Sequence, residues 1–140
     1  MGHIVYTQGE SHILSTYFQA GDFPGPFYIG LGVGPFPQDE SSTLSDIVEV
    51  TGVNYGRQAV NRDSSSYGWN LVNDTAQAAQ VSWNNLDLST CWTPADYAFL
   101  TLSPSGTTAS NILIAAVDLE TSVVLDPQRK MRIIFKFRQL

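Results

Sequence analysis

The clearest periodicity lies near the C-terminal end, where Met131, Ile133, Phe135 and Phe137 share one parity and Lys130, Arg132, Lys136 and Arg138 the other. A period of two marks a half-buried strand, so the apolar set is expected in the core and the cations outside, where they also discourage edge pairing. Ile134 alone breaks the alternation. Ile112-Leu113-Ile114-Ala115-Ala116-Val117 has no alternation and predicts a strand covered on both faces. Periodicity leaves a buried helix open there; the run's length favours a strand. Further strand-like runs fall at 27–33, 55–60, 69–72, 80–83, 96–102, 111–119 and 123–125. Between them lie Gly- and Pro-bearing stretches such as Gly34-Pro35-Phe36-Pro37 and Ser103-Pro104-Ser105-Gly106, which have turn chemistry.

Helix signals are few. Thr7 and Glu10 have capping-box spacing, Ile13, Leu14, Tyr17 and Phe18 recur on one face, and Gly21 offers a stop. A second helical turn is expected within 43–50, with Leu44, Ile47 and Val48 facing one way before Gly52. The pattern as a whole predicts an all-β chain: an antiparallel β-sandwich, jelly-roll-like, with a short N-terminal helix. The 140 residues suit a single domain, in which residues 1–22 would form a helical arm.

Composition narrows the functional classes. No apolar run approaches the roughly 20 residues of a membrane span, and the first residues lack the basic and apolar regions of a secretory signal, so a soluble protein without a membrane partner is expected. The single Cys91 cannot form an internal disulfide, which fits folding in a reducing cytoplasm. Net charge is −6, unevenly spread: thirteen acids against Arg57 and Arg62 leave residues 1–128 at −11, while Arg129, Lys130, Arg132, Lys136 and Arg138 make the last twelve residues +5. An acidic body argues against nucleic acid, since phosphate binding needs a broad positive footprint. A short basic end can instead pair with an acidic surface, including another copy of the chain.

Catalytic chemistry finds little support. His3 and His12 lie in or near the first helix, far in sequence from any activated serine, and neither a Gly-x-Ser-x-Gly nor a His-Glu-x-x-His motif occurs. With a carboxylate, the two histidines lack the compact spacing of a zinc site. Cys91, between Thr90 and Trp92, reads as a buried, inert cysteine serving as a small apolar residue. Asp39-Glu40 reads as a solvated loop or helix entry. The run Gly30-x-Gly32-x-Gly34 has its third glycine at the wrong step for dinucleotide binding and reads as strand bends or close backbone approaches, so no cofactor is expected. Trp69, Trp83, Tyr97, Phe99, Phe135 and Phe137 sit in predicted strands, where aromatics fill cores; a sugar-stacking platform is the competing use. Arg57 either pairs with an acid such as Glu49 to fix a loop or stands exposed.

Phe27-Tyr28-Ile29-Gly30-Leu31, a Pro-containing loop, Glu49-Val50-Thr51-Gly52 and Tyr55-Gly56-Arg57-Gln58-Ala59-Val60 follow one another in an order that resembles small virion proteins of tailed bacteriophages, of the tail-fibre-like or minor structural kind. Such chains have a Leu-Tyr-x-Gly-Leu strand and a Glu-Val-x-Gly-x-x-Tyr-Ala-Arg-Gln-Ala-Val segment. The later Val81-Ser82-Trp83, 97–102 and 112–117 correspond loosely, so the resemblance spans residues 11–137, with Tyr55 to Val60 its specific part. Gly56 stands where Ala is usual, Thr101-Leu102-Ser103 where an acidic turn is common, and the end is unusually basic. The resemblance implies a non-enzymatic virion component assembled in the host cytoplasm. It would be a capsid decoration (cement) protein, typically trimeric, or a tail or tail-fibre part; a carbohydrate-binding module for host attachment is the other candidate. Implied partners are the major capsid protein or tail proteins and further copies of the chain. Cement is favoured because the chain is short and lacks a fibrous repeat. Arg129, Lys130, Arg132, Lys136 and Arg138, with the first helix, are the expected inter-subunit contacts.

Overall fold

A computed structural model describes residues 3–9, 26–61, 68–72, 75–107 and 111–138. Ten strands are found among them: β1 His3–Val5, β2 Phe27–Gly32, β3 Gln58–Val60, β4 Trp69–Val72, β5 Thr75–Ala78, β6 Val81–Asn84, β7 Ala95–Thr101, β8 Leu113–Val123, β9 Lys130–Ile133 and β10 Lys136–Arg138. The fold is an all-β antiparallel sandwich. One layer is a five-stranded sheet ordered β1-β8-β7-β2-β3. The other is formed by β10-β5-β4 and by β6-β9, which follow on from each other because β5 runs into β6 and β9 into β10.

The junction of these two pieces explains the odd residue of the last strand. Gln77 faces Lys136 while Val81 faces Ile133, so four steps on one strand oppose three on the other. The extra residue is a bulge on the β5–β6 side, and β9–β10 keeps strict alternation through it. Met131 and Ile133 are half-buried, Phe135 is buried, and Lys130, Arg132, Ile134 and Lys136 are all exposed. Ile134 is thus an apolar residue on the outer face. The side chains of Phe137 and Arg138 lie outside the description.

Both faces of the five-stranded sheet are covered, which is why 112–117 shows no alternation. Ile29, Leu31, Val60, Ala98, Leu100 and Ala115 pack against Val81, Trp83 and Phe135 of the second layer. On the reverse face Tyr97, Phe99, Leu113 and Ala116 pack under Tyr6, Phe36, Leu44 and Ile47. Cross-strand partners sort consistently, Phe99 with Ala116 on one face and Leu100 with Ala115 on the other. Gly30 and Gly32 of β2 stand opposite Phe99 and Tyr97, and a Cβ at either would overlap the ring. These two glycines are close approaches that let aromatic rings lie across the strand.

Several expectations need correction. The 55–60 run is a strand only from Gln58, most of 111–119 and the first residue of 123–125 lie in one strand, β8, and β1 and β5 have no counterpart among the predicted runs. The start of the supposed arm is part of the body: β1 pairs with β8, Tyr6 is fully buried, its N–H donates to the Ile114 carbonyl (2.9 Å) and its hydroxyl to that of Pro37 (2.9 Å). His3 accordingly lies in a strand. Residues 7–9 are helical, while 10–25, including His12 and most of the predicted helix, lie outside the described residues. The turn in 43–50 is a single 3-10 turn, Leu44–Asp46, whose Asp46 carboxylate accepts from the Thr43 N–H (2.9 Å). The chain is already extended at Ile47, so successive side chains alternate: Ile47 is buried and Val48 is 62% exposed.

Candidate functional site

Residues 48–50 and β3 share the outer edge of β2, joined by Val50 N–H to the Leu31 carbonyl (2.9 Å) and by the facing of Gly32 and Glu49. Between these segments Arg57 meets Glu49. Its Nε and Nη2 donate to the two carboxylate oxygens at 3.0 Å each, Nη1 to the Ser103 carbonyl (2.9 Å) and Nη2 also to that of Gly106 (2.8 Å). The guanidinium lies 5.2 Å from the Phe99 ring centre, and the Arg57 side chain is 1% exposed. Planar guanidinium geometry suits a bidentate carboxylate and an aromatic face together. Tyr55 completes the cluster: its hydroxyl donates to Glu49 Oε2 (2.6 Å) and accepts from the Leu31 N–H (2.9 Å). Burial, reinforced by the Glu49 charge, pushes the Tyr55 phenol well above its ordinary range. Of the two readings open for Arg57, pairing with Glu49 is the one observed. Glu49, Tyr55 and Arg57 therefore form a lock that ties the 103–106 turn to the edge of the sheet.

Among the described residues, Trp83 and Trp92 are equally internal. Trp83 donates to the Gly56 carbonyl (2.8 Å) and Trp92 to that of Val53 (3.0 Å), and both indoles are buried. Tyr97, Phe99 and Phe135 are also buried, and half-buried Trp69 packs edge-on to Phe27. An open groove of about 470 Å³ runs past Asn54, Gln58, Ser82 and Asn84, but the Trp83 ring that borders it is 1% exposed and offers no stacking face. Cys91 corrects another expectation. It is exposed because the extended chain turns its neighbour Trp92 inward. Asp126 Oδ1 accepts a hydrogen bond from the thiol (3.4 Å), which holds the Cys91 pKa above its ordinary value. Asp39 sits in a solvated turn, its carboxylate accepting from Ser41 N–H and Oγ. Those bonds lower its pKa.

Among the described residues, one feature open to outward chemistry is the face of β9–β10. Lys130, Arg132 and Lys136 project from it, opposite Asn84, Ser82 and Gln77, with Ile134 among them. Arg129 is exposed just before β9. Among the described residues none of these four cations has a carboxylate within 4.0 Å, whereas Arg57 has one. Four of the five expected contact residues thus form one exposed, unpaired group, and the Arg138 side chain lies outside the description. No helix among the described residues is long and apolar enough to cross a membrane. They also contain no group of three or more His, Cys, Asp or Glu placed to hold a metal. No family model matches the chain, and no curated protein matches it.

Proposed function

We propose that the chain is a non-enzymatic structural protein of a tailed-bacteriophage particle, a capsid decoration protein that adheres to the shell through the outer face of β9–β10. The observation that carries this reading is the exposed row Lys130, Arg132 and Lys136, with no carboxylate within 4.0 Å among the described residues, on a chain of net charge −6. An acidic protein that exposes Lys130, Arg132 and Lys136 on one sheet face has a surface complementary to an acidic partner, and such complementarity sets register and orientation. Ile134, 44% exposed within the row, supplies the apolar contact that charges need for lasting affinity. A stiff body also suits this role, because a surface ordered before contact loses little entropy on docking. The partner is then a major capsid or tail protein with an acidic patch.

The test is incorporation. Tagged wild-type chain and an Arg132→Glu, Lys136→Glu double variant are expressed during particle assembly, and purified particles are assayed for each. The variant should fold normally, since exposed substitutions change stability by about 0.5 kcal/mol or less, yet be depleted from particles by at least tenfold. Equal incorporation of both chains refutes the role assigned to this face. Absence of the wild-type chain from particles refutes the reading as a whole.

A further inference from the structure

A different surface draws together four of the described chain's large exposed apolar side chains. The loops 51–54, 85–93 and 124–129 converge at one end of the sandwich, and Val53 (52% exposed), Leu86 (57%), Leu88 (85%) and Val124 (47%) project from them. Their proximity follows from hydrogen bonds between the loops. Trp92 N–H donates to the Leu125 carbonyl at 3.1 Å, the Trp92 indole to Val53, Asn54 Nδ2 to Asn84 (3.3 Å), and Gln128 Nε2 to both Leu86 and Asp87 (3.1 Å each).

The loops are also held in advance of any contact. Asn85 is fully buried and its Nδ2 donates to the Thr90 and Leu125 carbonyls, at 2.9 Å each. Its Oδ1 accepts from the Asp87 N–H (2.9 Å), and the Asp87 carboxylate in turn accepts from the Ser89 and Thr90 N–H groups. A rigid, apolar-tipped end is costly to leave in water and needs little further ordering to dock.

We propose that this end is where a second copy of the chain binds, the two copies related by a two-fold axis. Charge selects that occupant. Two copies at −6 each repel over most of their surface, but here Asp126 lies beside the exposed Arg129. Asp126 and Arg129 flank one turn, Arg129 N–H donating to the Asp126 carbonyl (3.1 Å), and neither has an ion-pair partner within the described chain. A patch that carries both signs around an apolar centre is complementary to itself: across a two-fold axis each Asp126 faces the other copy's Arg129, twice. The inference stands apart from the particle role, which uses another face, and a pair is not the trimer implied for cement proteins.

Sedimentation of the full chain across concentration, at low and high salt, tests it. A monomer–dimer equilibrium is expected, weakened at least tenfold by Leu88→Asp, whose site is too exposed to affect folding. Asp126→Arg and Arg129→Asp should each weaken the dimer and together restore it. Cys91, the chain's single thiol, sits in this end and should react with a maleimide more slowly as concentration rises. A monomer at every concentration up to about 1 mM, where a contact of that Kd is substantially populated, overturns the proposal. So does an oligomer of another order, or a dimer indifferent to Leu88→Asp with constant Cys91 reactivity. Monomeric chain that floats with phosphatidylcholine vesicles also overturns it and assigns the end to lipid.

Discussion

Arg57→Met removes one side chain from the Glu49 lock and retains much of its apolar length. The wild-type guanidinium makes four hydrogen bonds, two to Glu49 and one each to the Ser103 and Gly106 carbonyls. The variant leaves the Glu49 carboxylate, 21% exposed, with Tyr55 as its remaining donor in the cluster, and leaves the two turn carbonyls without their donor. Stranding one partner of a buried ion pair costs about 3–5 kcal/mol, and here partial exposure of Glu49 favours the lower part of that range. Losing the contact with the Phe99 ring adds about 0.5–1 kcal/mol. At about 3–4 °C per kcal/mol for a chain of this size, Tm should fall by roughly 10–20 °C. Urea unfolding followed by tryptophan fluorescence gives the free energy directly, since Trp83 and Trp92 are buried. The decisive comparison is the double variant Arg57→Met, Glu49→Leu. If the cost arises from a stranded charge, the pair of substitutions is less destabilising than Arg57→Met alone, because an apolar pair can replace a buried salt bridge at little cost. A loss below about 1 kcal/mol for Arg57→Met, or strictly additive effects, refutes the reasoning.

Gly30→Ala should cost about 1–3 kcal/mol by overpacking, because the new methyl would enter the Phe99 ring; a shortened partner in Gly30→Ala, Phe99→Leu should recover part of it in the same urea assay. Asn85→Ala should cost about 2–4 kcal/mol through the Thr90 and Leu125 carbonyls and the Asp87 N–H it leaves unpaired, and hydrogen exchange should quicken in 85–92 first. Stability should fall as pH rises above 10.0. Burial raises the Tyr6, Tyr55 and Tyr97 phenols, that of Tyr97 up to about 12, so the protonated folded form is favoured fully below the unfolded value of 10.0 and the advantage is lost as pH climbs through the raised values. Thermal melts from pH 8 to 11 check the sign, and a Tm that holds or rises across that range contradicts it.

The fold class was legible because β strands declare themselves by parity, and 130–136 does so with every second side chain. Where the two layers meet, parity is silent: the bulge between β5 and β6 flips one strand's register without marking its partner, and Ala76 and Ala78 carry too little apolar contrast to announce β5. Leu44, Ile47 and Val48 also fit one face of a longer helix, so their spacing does not mark where the 3-10 turn ends; only the extended backbone at Ile47 sends Val48 outward. Cys91 and Trp92 illustrate a related limit, since neighbours in an extended segment cannot both point inward and the larger indole takes the core. The cation row, by contrast, was readable residue by residue. The apolar end was not, because Val53, Leu86, Leu88 and Val124 are far apart in sequence and are gathered only by loop hydrogen bonds.

These placements separate stability from contact. The Arg57–Glu49 lock and the ring-over-glycine packing lie at the β2 edge and on the reverse face of the five-stranded sheet. The cation row lies on the outside of the other layer, and the apolar end on loops fixed by Asn85. A substitution in the first group therefore acts through the folded fraction and should lower every binding signal in proportion. A substitution of Arg132, Lys136 or Leu88 leaves the folded fraction intact and should remove one contact alone. If Arg57→Met, assayed where it is still fully folded, specifically abolished docking, the lock would have to touch a partner; its 1% exposure argues that it does not.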